Sequence, residues 1–183
     1  MMFDVVIVGG GPAGASCAMF CATAGLRALV LEREKFPREK VCGDCLNPSC
    51  WPVLRRLGVE KRVRALPHGR LDRVDFIAIG GATISVALPA GAEIAVKRSL
   101  FDQLLLQRAS EAGAEVIESA TVTSIAQDTS GAWTVNTGKG SFAARVLVAA
   151  DGRNSTVALL LGLLPRRDRE RVALQTHIPL PAN

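Results

Sequence analysis

The sequence predicts an α/β fold built on a parallel sheet, and three observations support this prediction. An apolar, β-branched run at 3–8 is followed by GGGPAG, by a stretch of small residues and by a second apolar run at 27–31. A third apolar run, RVLVA, lies at 145–149. Short continuous apolar runs are typical of strands buried on both faces of a parallel sheet. The 183 residues are 49% hydrophobic and 21% charged, which is enough to bury a core without disulfides or a metal.

The first part of the chain contains one βαβ unit. Strand 3–8 leads through the glycine-rich segment into a helix over 13–24, which Gly25 ends. Strand 27–31 completes a unit of the usual size, about 30 residues. After a charged loop, Asn47 and Pro48 are predicted to be the N-cap and the first residue of another helix.

The rest of the chain mixes antiparallel strands with two helices. Residues 72–79 and 82–88 alternate in polarity around two glycines, which predicts an antiparallel hairpin. Ser99 and Asp102 have the spacing of a capping box and are expected to begin an amphipathic helix that Gly113 ends. A shorter helix is predicted over 155–162. Further strands are predicted at 115–118, 120–127, 132–137, 141–143, 145–149 and 171–177.

Composition and charge restrict the class of partner. The net charge of +5 comes mostly from Arg-rich segments at 55–73 and 166–171, which are either solvated faces or attract an anionic cofactor, substrate or membrane surface. Aromatic residues make up 4% and Tyr is absent, so no stacking platform for nucleic acid is expected. A signal-peptide pattern and an apolar run of about 18 residues are both lacking. With five cysteines, an odd number, the expectation is a cytoplasmic protein with reduced thiols.

Gly9, Gly11 and Gly14 form a G-x-G-x-x-G motif between a predicted strand and a predicted helix. Gly9 permits the tight turn, Gly11 lets the backbone approach a pyrophosphate, and Gly14 lets the helix pack close to the strand. Glu32 ends the second strand, 18 positions after Gly14, where a carboxylate accepts hydrogen bonds from an adenosine ribose and disfavours the 2′-phosphate of NADP. The motif therefore predicts an adenine dinucleotide site, with the phosphates at the helix N-terminus.

Three segments resemble the FAD-dependent oxidoreductases that include aromatic-ring hydroxylases, flavin-dependent halogenases and geranylgeranyl reductases. These segments are DVVIVGGGPAGASCAMFCATAGLRALVLERE, VKRSLFDQLLLQRASEAGAEV and AADGRNSTV. Arg98 stands at the flavin-contacting Arg of that group, and Asp151, Gly152 and Ser155 are in register with its Asp-Gly motif. The resemblance implies FAD, with its flavin end towards Arg98 and Asp151. The motif often ends in Arg, where this chain has Ala158, so an approach of nicotinamide through it is not implied.

The segment FPREKVCGDCLNP resembles the geranylgeranyl reductase branch, which reduces isolated C=C bonds of isoprenoid chains. There the loop passes the flavin ring, so the resemblance places Cys42 and Gly43 beside it. Two alternatives remain: a zinc site and a redox dithiol. Zinc would need a fourth ligand, His68 or His177, besides Cys42, Cys45 and Cys50, whereas the dithiol would be Cys42–Cys45. Cys17, Cys21 and Cys50 are expected to be small buried side chains, and no metal is predicted.

The resemblance thus implies an FAD-dependent oxidoreductase most like a geranylgeranyl reductase. The alternatives are an FAD-dependent monooxygenase or halogenase, or a non-catalytic FAD-binding remnant. An isoprenoid or other small-molecule substrate, NAD(P)H or another electron donor, and peripheral contact with a membrane are the expected partners, and Cys42 is the candidate catalytic residue. The predicted cofactor-binding residues are Gly9, Gly11, Pro12, Ala13, Gly14, Glu32, Arg33, Cys42, Gly43, Arg98, Asp151 and Gly152.

The resemblance also implies a domain organisation, with a Rossmann-like parallel sheet, an antiparallel β-meander and the start of an antiparallel substrate domain. Residues 1–70 are expected to form the FAD-binding βαβ unit with the flavin-side loop, and 71–98 a hairpin of a partial substrate domain. Residues 99–165 would complete the FAD-binding domain, and 166–183 would begin a truncated substrate domain. Members of the group carry a second Gly-Asp motif beyond the position of Asn183, so the expectation is a truncated or naturally short chain.

Overall fold

The computed structural model describes residues 2–42, 44–89, 93–164 and 176 of the chain. The helices are α1 (Pro12–Thr23), α2 (Cys50–Arg56), α3 (Glu60–Arg64), α4 (Arg98–Glu111) and α5 (Thr156–Leu160). The strands are β1 (Met2–Val8), β2 (Ala28–Leu31), β3 (Cys45–Leu46), β4 (His68–Leu71), β5 (Arg73–Ile77), β6 (Thr83–Ala87), β7 (Glu93–Val96), β8 (Glu115–Ile117), β9 (Val122–Gln127), β10 (Trp133–Thr137) and β11 (Gly140–Ala149).

A six-stranded sheet in the order β8-β2-β1-β11-β10-β9 forms the centre of the fold. The strands β8, β2, β1 and β11 are parallel, and β11, β10 and β9 form an antiparallel meander. The predicted parallel sheet and meander are therefore confirmed. The prediction of separate strands at 141–143 and 145–149 was wrong, because β11 runs unbroken through ten residues. Its first half pairs with β10 while its second half pairs with β1, so one strand joins the two parts.

The two faces of this sheet contribute to two different clusters of buried side chains. Val5 and Ile7 belong to the cluster that contains residues of α1 and α4, whereas Val6 and Val8 belong to the cluster with the meander and α5. This division follows from the alternation of side chains along a strand. Residues 5–8 of β1 and all of β2 are covered on both faces, which fits their continuous apolar sequences. The carboxyl ends of the parallel strands are the part left open to a ligand.

Two small antiparallel sheets complete the described residues. The predicted hairpin is confirmed as β5 and β6, and every residue of both strands is exposed. A three-stranded sheet in the order β3-β7-β4 was not predicted. The predicted strand at 171–177 lies outside the described residues, apart from Thr176, and the predicted domain boundaries stay a prediction. Within the described ranges, no helix combines the length and the apolar character needed to cross a membrane.

Two predicted helix starts were wrong. Helix α2 begins at Cys50 with Ser49 as its N-cap, and Asn47 instead accepts a hydrogen bond from the Ser49 backbone N–H at 3.1 Å. Helix α4 begins at Arg98 after Lys97, so the Ser99–Asp102 spacing is not a capping box. Both errors arise because a short polar side chain near a helix start has the same local signature whether it caps the helix or bonds elsewhere.

Candidate functional site

A cleft of about 700 Å³ lies at the carboxyl ends of β1, β2 and β11. Nine of the twelve predicted cofactor-binding residues line it. They are Gly9, Gly11, Pro12, Ala13, Glu32, Arg33, Arg98, Asp151 and Gly152. Gly14 and Cys42 do not line it, and Gly43 lies outside the described residues. The sequence prediction missed several lining residues, among them Arg38, Glu39, Lys40, Val41, Thr121 and Thr156.

The glycines of the first turn are required, or tolerated, for different structural reasons. At Gly9, with φ +105°, a Cβ would lie 2.5 Å from the Ala150 carbonyl oxygen. At Gly14 a Cβ would collide with the Gly9 carbonyl oxygen, so α1 can approach β1 only because this residue has no side chain. At Gly11 the nearest atom to a Cβ would be Arg38 Nη2 at 3.5 Å, an ordinary contact. The surrounding protein therefore explains Gly9 and Gly14, whereas the open space beside Gly11 is the cleft.

Glu32 ties the glycine-rich turn to the end of β2. Its Oε2 accepts a hydrogen bond from the Gly10 N–H at 2.6 Å, and its Oε1 accepts one from the Glu34 N–H at 2.9 Å. The residue is 4% exposed, yet it lines the cleft. Each carboxylate oxygen has a second lone pair, so Glu32 can hold the turn and accept a ligand hydroxyl at the same time.

A buried ion cluster forms another wall of the cleft. Asp102 on α4 is fully buried, and its Oδ1 and Oδ2 each accept a hydrogen bond from Arg98 at 2.7 Å. Arg38 Nη2 lies 3.1 Å from Asp102 Oδ2. The Asp102 hydrogen bonds raise the pKa of Arg98, so this guanidinium stays charged at every accessible pH. Asp102, assigned by the sequence to a helix cap, is instead the anion of a three-residue cluster.

The cysteine segment meets this cluster at one point. After Asp102, Cys42 also contributes to the raised pKa of Arg98, so its side chain is close to this guanidinium. Cys45 lies on β3, paired with Ala95, and burial followed by the Glu93 carboxylate raises the pKa of its thiol. All five cysteines lie among the described residues and are reduced thiols.

The zinc alternative gains no support from the described residues, where no group of three or more His, Cys, Asp or Glu side chains is arranged to hold a metal. The His177 that it invoked lies outside them. His68 lies on β4, and its Nδ1 is 2.8 Å from the Leu66 carbonyl oxygen.

Asp151 stabilises the start of α5. Its Oδ1 accepts a hydrogen bond from Ser155 Oγ at 2.6 Å, and its Oδ2 accepts the N–H groups of Thr156 and Val157 at 2.5 and 3.2 Å. Ser155 is the N-cap and accepts the Ala158 N–H at 2.9 Å. The Asp-Gly motif thus fixes a short helix beside the cleft, and it leaves Gly152 at the cleft surface.

Comparison with known proteins shows which family the chain belongs to. A family model described as "FAD binding domain" matches residues 2–178. Conditioned medium factor receptor 1 of Dictyostelium discoideum is 34% identical over 180 residues, covering 88% of this chain and 35% of that protein. Menaquinone reductase of Mycolicibacterium smegmatis is 33% identical over 190 residues, covering 97% of this chain and 44% of that protein.

A solved structure of a flavin-dependent enzyme also matches the chain. The flavin-dependent brominase Bmp2 superposes with a TM-score of 0.71 at 30% identity, covering 89% of this chain and 41% of that one. The described chain therefore spans less than half the length of each of these three proteins. The family match and the superposition confirm the predicted fold class and the prediction of FAD as the cofactor.

Proposed function

Since the chain belongs to the FAD-binding domain family, we propose that it is the FAD-binding part of an oxidoreductase whose cofactor lies in the cleft at the ends of β1, β2 and β11. One observation supports this proposal above the others. Residues from all three resembling segments, of which the first and the last lie more than a hundred positions apart, line the same cleft. Open α/β sheets bind their ligands at the carboxyl ends of their parallel strands, which is where this cleft lies.

The cleft has the chemistry that a dinucleotide phosphate requires. Gly11, Pro12 and Ala13 at the start of α1 line it, and the helix dipole there favours an anion. Gly11 leaves room for close approach to that backbone. Arg38 Nη1 is buried and has no hydrogen-bond acceptor among the described residues, which is costly for a guanidinium unless a ligand supplies the acceptor. These features fit a pyrophosphate.

The two ends of the cofactor are assigned by the residues that flank the phosphate site. Glu32, which has free lone pairs, and Arg33 would hold the adenosine ribose and its surroundings. Arg98, Asp151 and Gly152 would lie on the flavin side of the phosphate site, with Arg98 beside the phosphates themselves. When bound, FAD supplies the two-electron redox chemistry, while the protein contributes binding, orientation and the exclusion of water.

For the substrate we propose an isoprenoid chain whose isolated C=C bond is reduced, with NAD(P)H or another donor supplying the electrons. Two features support this choice over oxygen chemistry. The segment FPREKVCGDCLNP has the pattern of the geranylgeranyl reductase branch. The Menaquinone reductase relative is named for menaquinone, a quinone with an isoprenoid side chain. Such a substrate would bring the protein to a membrane surface, and the exposed hairpin would belong to the substrate-binding part.

Cys42 is proposed to influence the flavin end of the cofactor through Arg98, a cleft residue whose pKa it helps to raise. Cys42→Ser should lower the rate of substrate reduction while leaving the FAD dissociation constant within about twofold of wild type, since the residue does not line the cleft. Equal rates for Cys42→Ser and wild type would remove Cys42 from the reaction.

A monooxygenase or halogenase is the second candidate function, favoured by the superposition on the Bmp2 brominase. One experiment separates the two. The FAD-loaded protein is given NADH, NADPH or dithionite and a polyprenyl substrate without oxygen, and the products are examined by mass spectrometry. Addition of hydrogen across a C=C bond supports the reductase. Oxygen or halide incorporation, seen only when air and halide are admitted, supports the alternative, and bound FAD with no product in either case contradicts both activities for this chain.

A further inference from the structure

Arg98 and Arg38 both pair with Asp102, and all three charged side chains are largely buried. The Asp102 side chain has no exposed surface, while those of Arg98 and Arg38 are 17% and 13% exposed. Removing three charged groups from water to this extent has a large desolvation cost unless their geometry is closely matched. The contacts of 2.7, 2.7 and 3.1 Å provide that match for the carboxylate.

The cluster does not balance its own charge. One carboxylate faces two guanidiniums, so the group carries one net positive charge. The excess is directed towards the glycine-rich turn, since Arg38 Nη2 and Arg98 Nη2 lie 3.5 and 4.0 Å from the position of a Cβ on Gly11. Among the described residues, Arg38 Nη1 has no acceptor although it is buried. Both facts indicate an anion beside Gly11.

Arg38 belongs to a loop that is fastened at its base. Its guanidinium lies over the Phe36 ring, 4.8 Å from the centroid, and the Phe36 N–H donates to Glu118 Oε1 at 3.0 Å. The head of Arg38 forms an ion pair with Asp102. Without Asp102, the Phe36 ring would still contact one face of the Arg38 guanidinium, but no ion pair with α4 would fix the direction of its N–H groups.

We propose that Asp102 is a positioning residue, which holds Arg38 and Arg98 side by side as a paired cation for the pyrophosphate of the dinucleotide. The inference rests on the proposed function and adds to it the residue on which phosphate recognition depends. Paired guanidiniums present several N–H donors in a fixed plane, which suits the oxygens of a phosphate. Asp102 touches the two arginines and does not itself line the cleft.

A neutral substitution of Asp102 distinguishes a positioning role from a purely electrostatic one, because the two roles predict opposite changes in FAD affinity. Asp102→Asn raises the net charge beside Gly11 by one unit. If Asp102 acted only through its charge, FAD would bind more tightly to the variant. If Asp102 positions the arginines, FAD should bind about ten to a hundred times more weakly, as expected for the loss of one charge-assisted hydrogen bond.

The experiment is a fluorescence titration of the 183-residue chain with FAD, with ADP as a competitor, accompanied by thermal unfolding. Glu111→Gln is the matched control, because it also removes one negative charge from α4 and breaks exposed pairs with Arg62 and Arg108. The control should bind like wild type. Affinity of Asp102→Asn equal to or tighter than that of wild type would overturn the inference, whereas a wild-type chain that binds no FAD would instead refute the proposed function.

Two further variants decide the matter if Asp102→Asn does not fold. Asp102→Glu keeps the charge but displaces the carboxylate by one methylene group, so a positioning role predicts weaker FAD binding and a charge role predicts wild-type binding. Arg38→Gln removes the buried Nη1 donor and should weaken FAD at least tenfold. Wild-type affinity in either folded variant would contradict the inference.

Discussion

Gly11→Ala should separate ligand binding from folding, because the structure leaves room for the new methyl group. Gly11 has φ −70° and ψ −176°, a conformation that alanine adopts freely. The nearest atom to the new Cβ would be 3.5 Å away, so no clash is introduced. Alanine lowers the entropy of the unfolded chain, which stabilises by about 0.4–1 kcal/mol, but it is a poorer N-cap than glycine by a similar amount. The free energy of unfolding should therefore stay within about 1 kcal/mol of wild type.

FAD binding should be affected by Gly11→Ala much more than stability is. The methyl group would occupy the space through which a phosphate approaches the start of α1, and the backbone N–H groups there could no longer donate at hydrogen-bond distance. The loss of one such bond to a charged group is worth about 1.5–3 kcal/mol, or roughly ten to a hundred times in the FAD dissociation constant. A shift of about 1 kcal/mol in stability corresponds to only about 2–4 °C in Tm for a chain of this size.

The assay is a titration with FAD, read by quenching of flavin fluorescence, beside a thermal melt of the same preparation. Gly138→Ala is the control, because a Cβ at Gly138 would meet no atom within 4 Å and the residue lies away from the cleft. If Gly11→Ala binds FAD as well as Gly138→Ala does, the phosphate site has been misplaced. If Gly11→Ala melts more than about 10 °C below wild type, the space beside Gly11 is not open as described.

Three other predictions follow from individual contacts. Gly14→Ala should lower Tm strongly and abolish FAD binding, because its Cβ would collide with the Gly9 carbonyl oxygen; a melt within a few degrees of wild type would contradict this packing. Glu32→Gln should lower both Tm and FAD affinity, since an amide can accept only one of the two N–H groups that the carboxylate accepts, and unchanged values would show that these bonds are unimportant. Alkylation of Cys45 by iodoacetamide should reach half its maximal rate at a higher pH than for an ordinary thiol, because burial and then the Glu93 carboxylate raise its pKa and the thiolate is the reactive form; a midpoint at or below the ordinary value would refute it.

The parts of the fold that depend on local sequence could be predicted. The β1–α1–β2 unit is defined by consecutive residues whose apolar runs, glycines and spacing carry the pattern within about 30 positions. The hairpin of β5 and β6 has its turn glycines between its strands. The cleft residues Gly9, Gly11 and Glu32 belong to such local patterns, which is why the site was predicted around them.

The remainder depends on contacts between distant segments. Strand β3 has only two residues and is defined by pairing with β7, which follows it by almost fifty positions. Asp102 has a local partner in Arg98, but its second partner, Arg38, lies 64 positions earlier in a loop. Arg38 lies within FPREKVCGDCLNP, but nothing in that segment distinguishes this arginine from the other charged residues of the loop.

The most direct test of the central claim is a titration of the wild-type 183-residue chain with FAD, followed through the visible absorption of the flavin, with FMN and ADP run in parallel. The cleft described here predicts saturable binding of one FAD per chain, displacement of FAD by ADP, and much weaker binding of FMN, which lacks the adenosine and the pyrophosphate. A flavin spectrum that does not change with added protein, or FMN binding as tightly as FAD, would contradict the assignment of the cleft to the dinucleotide.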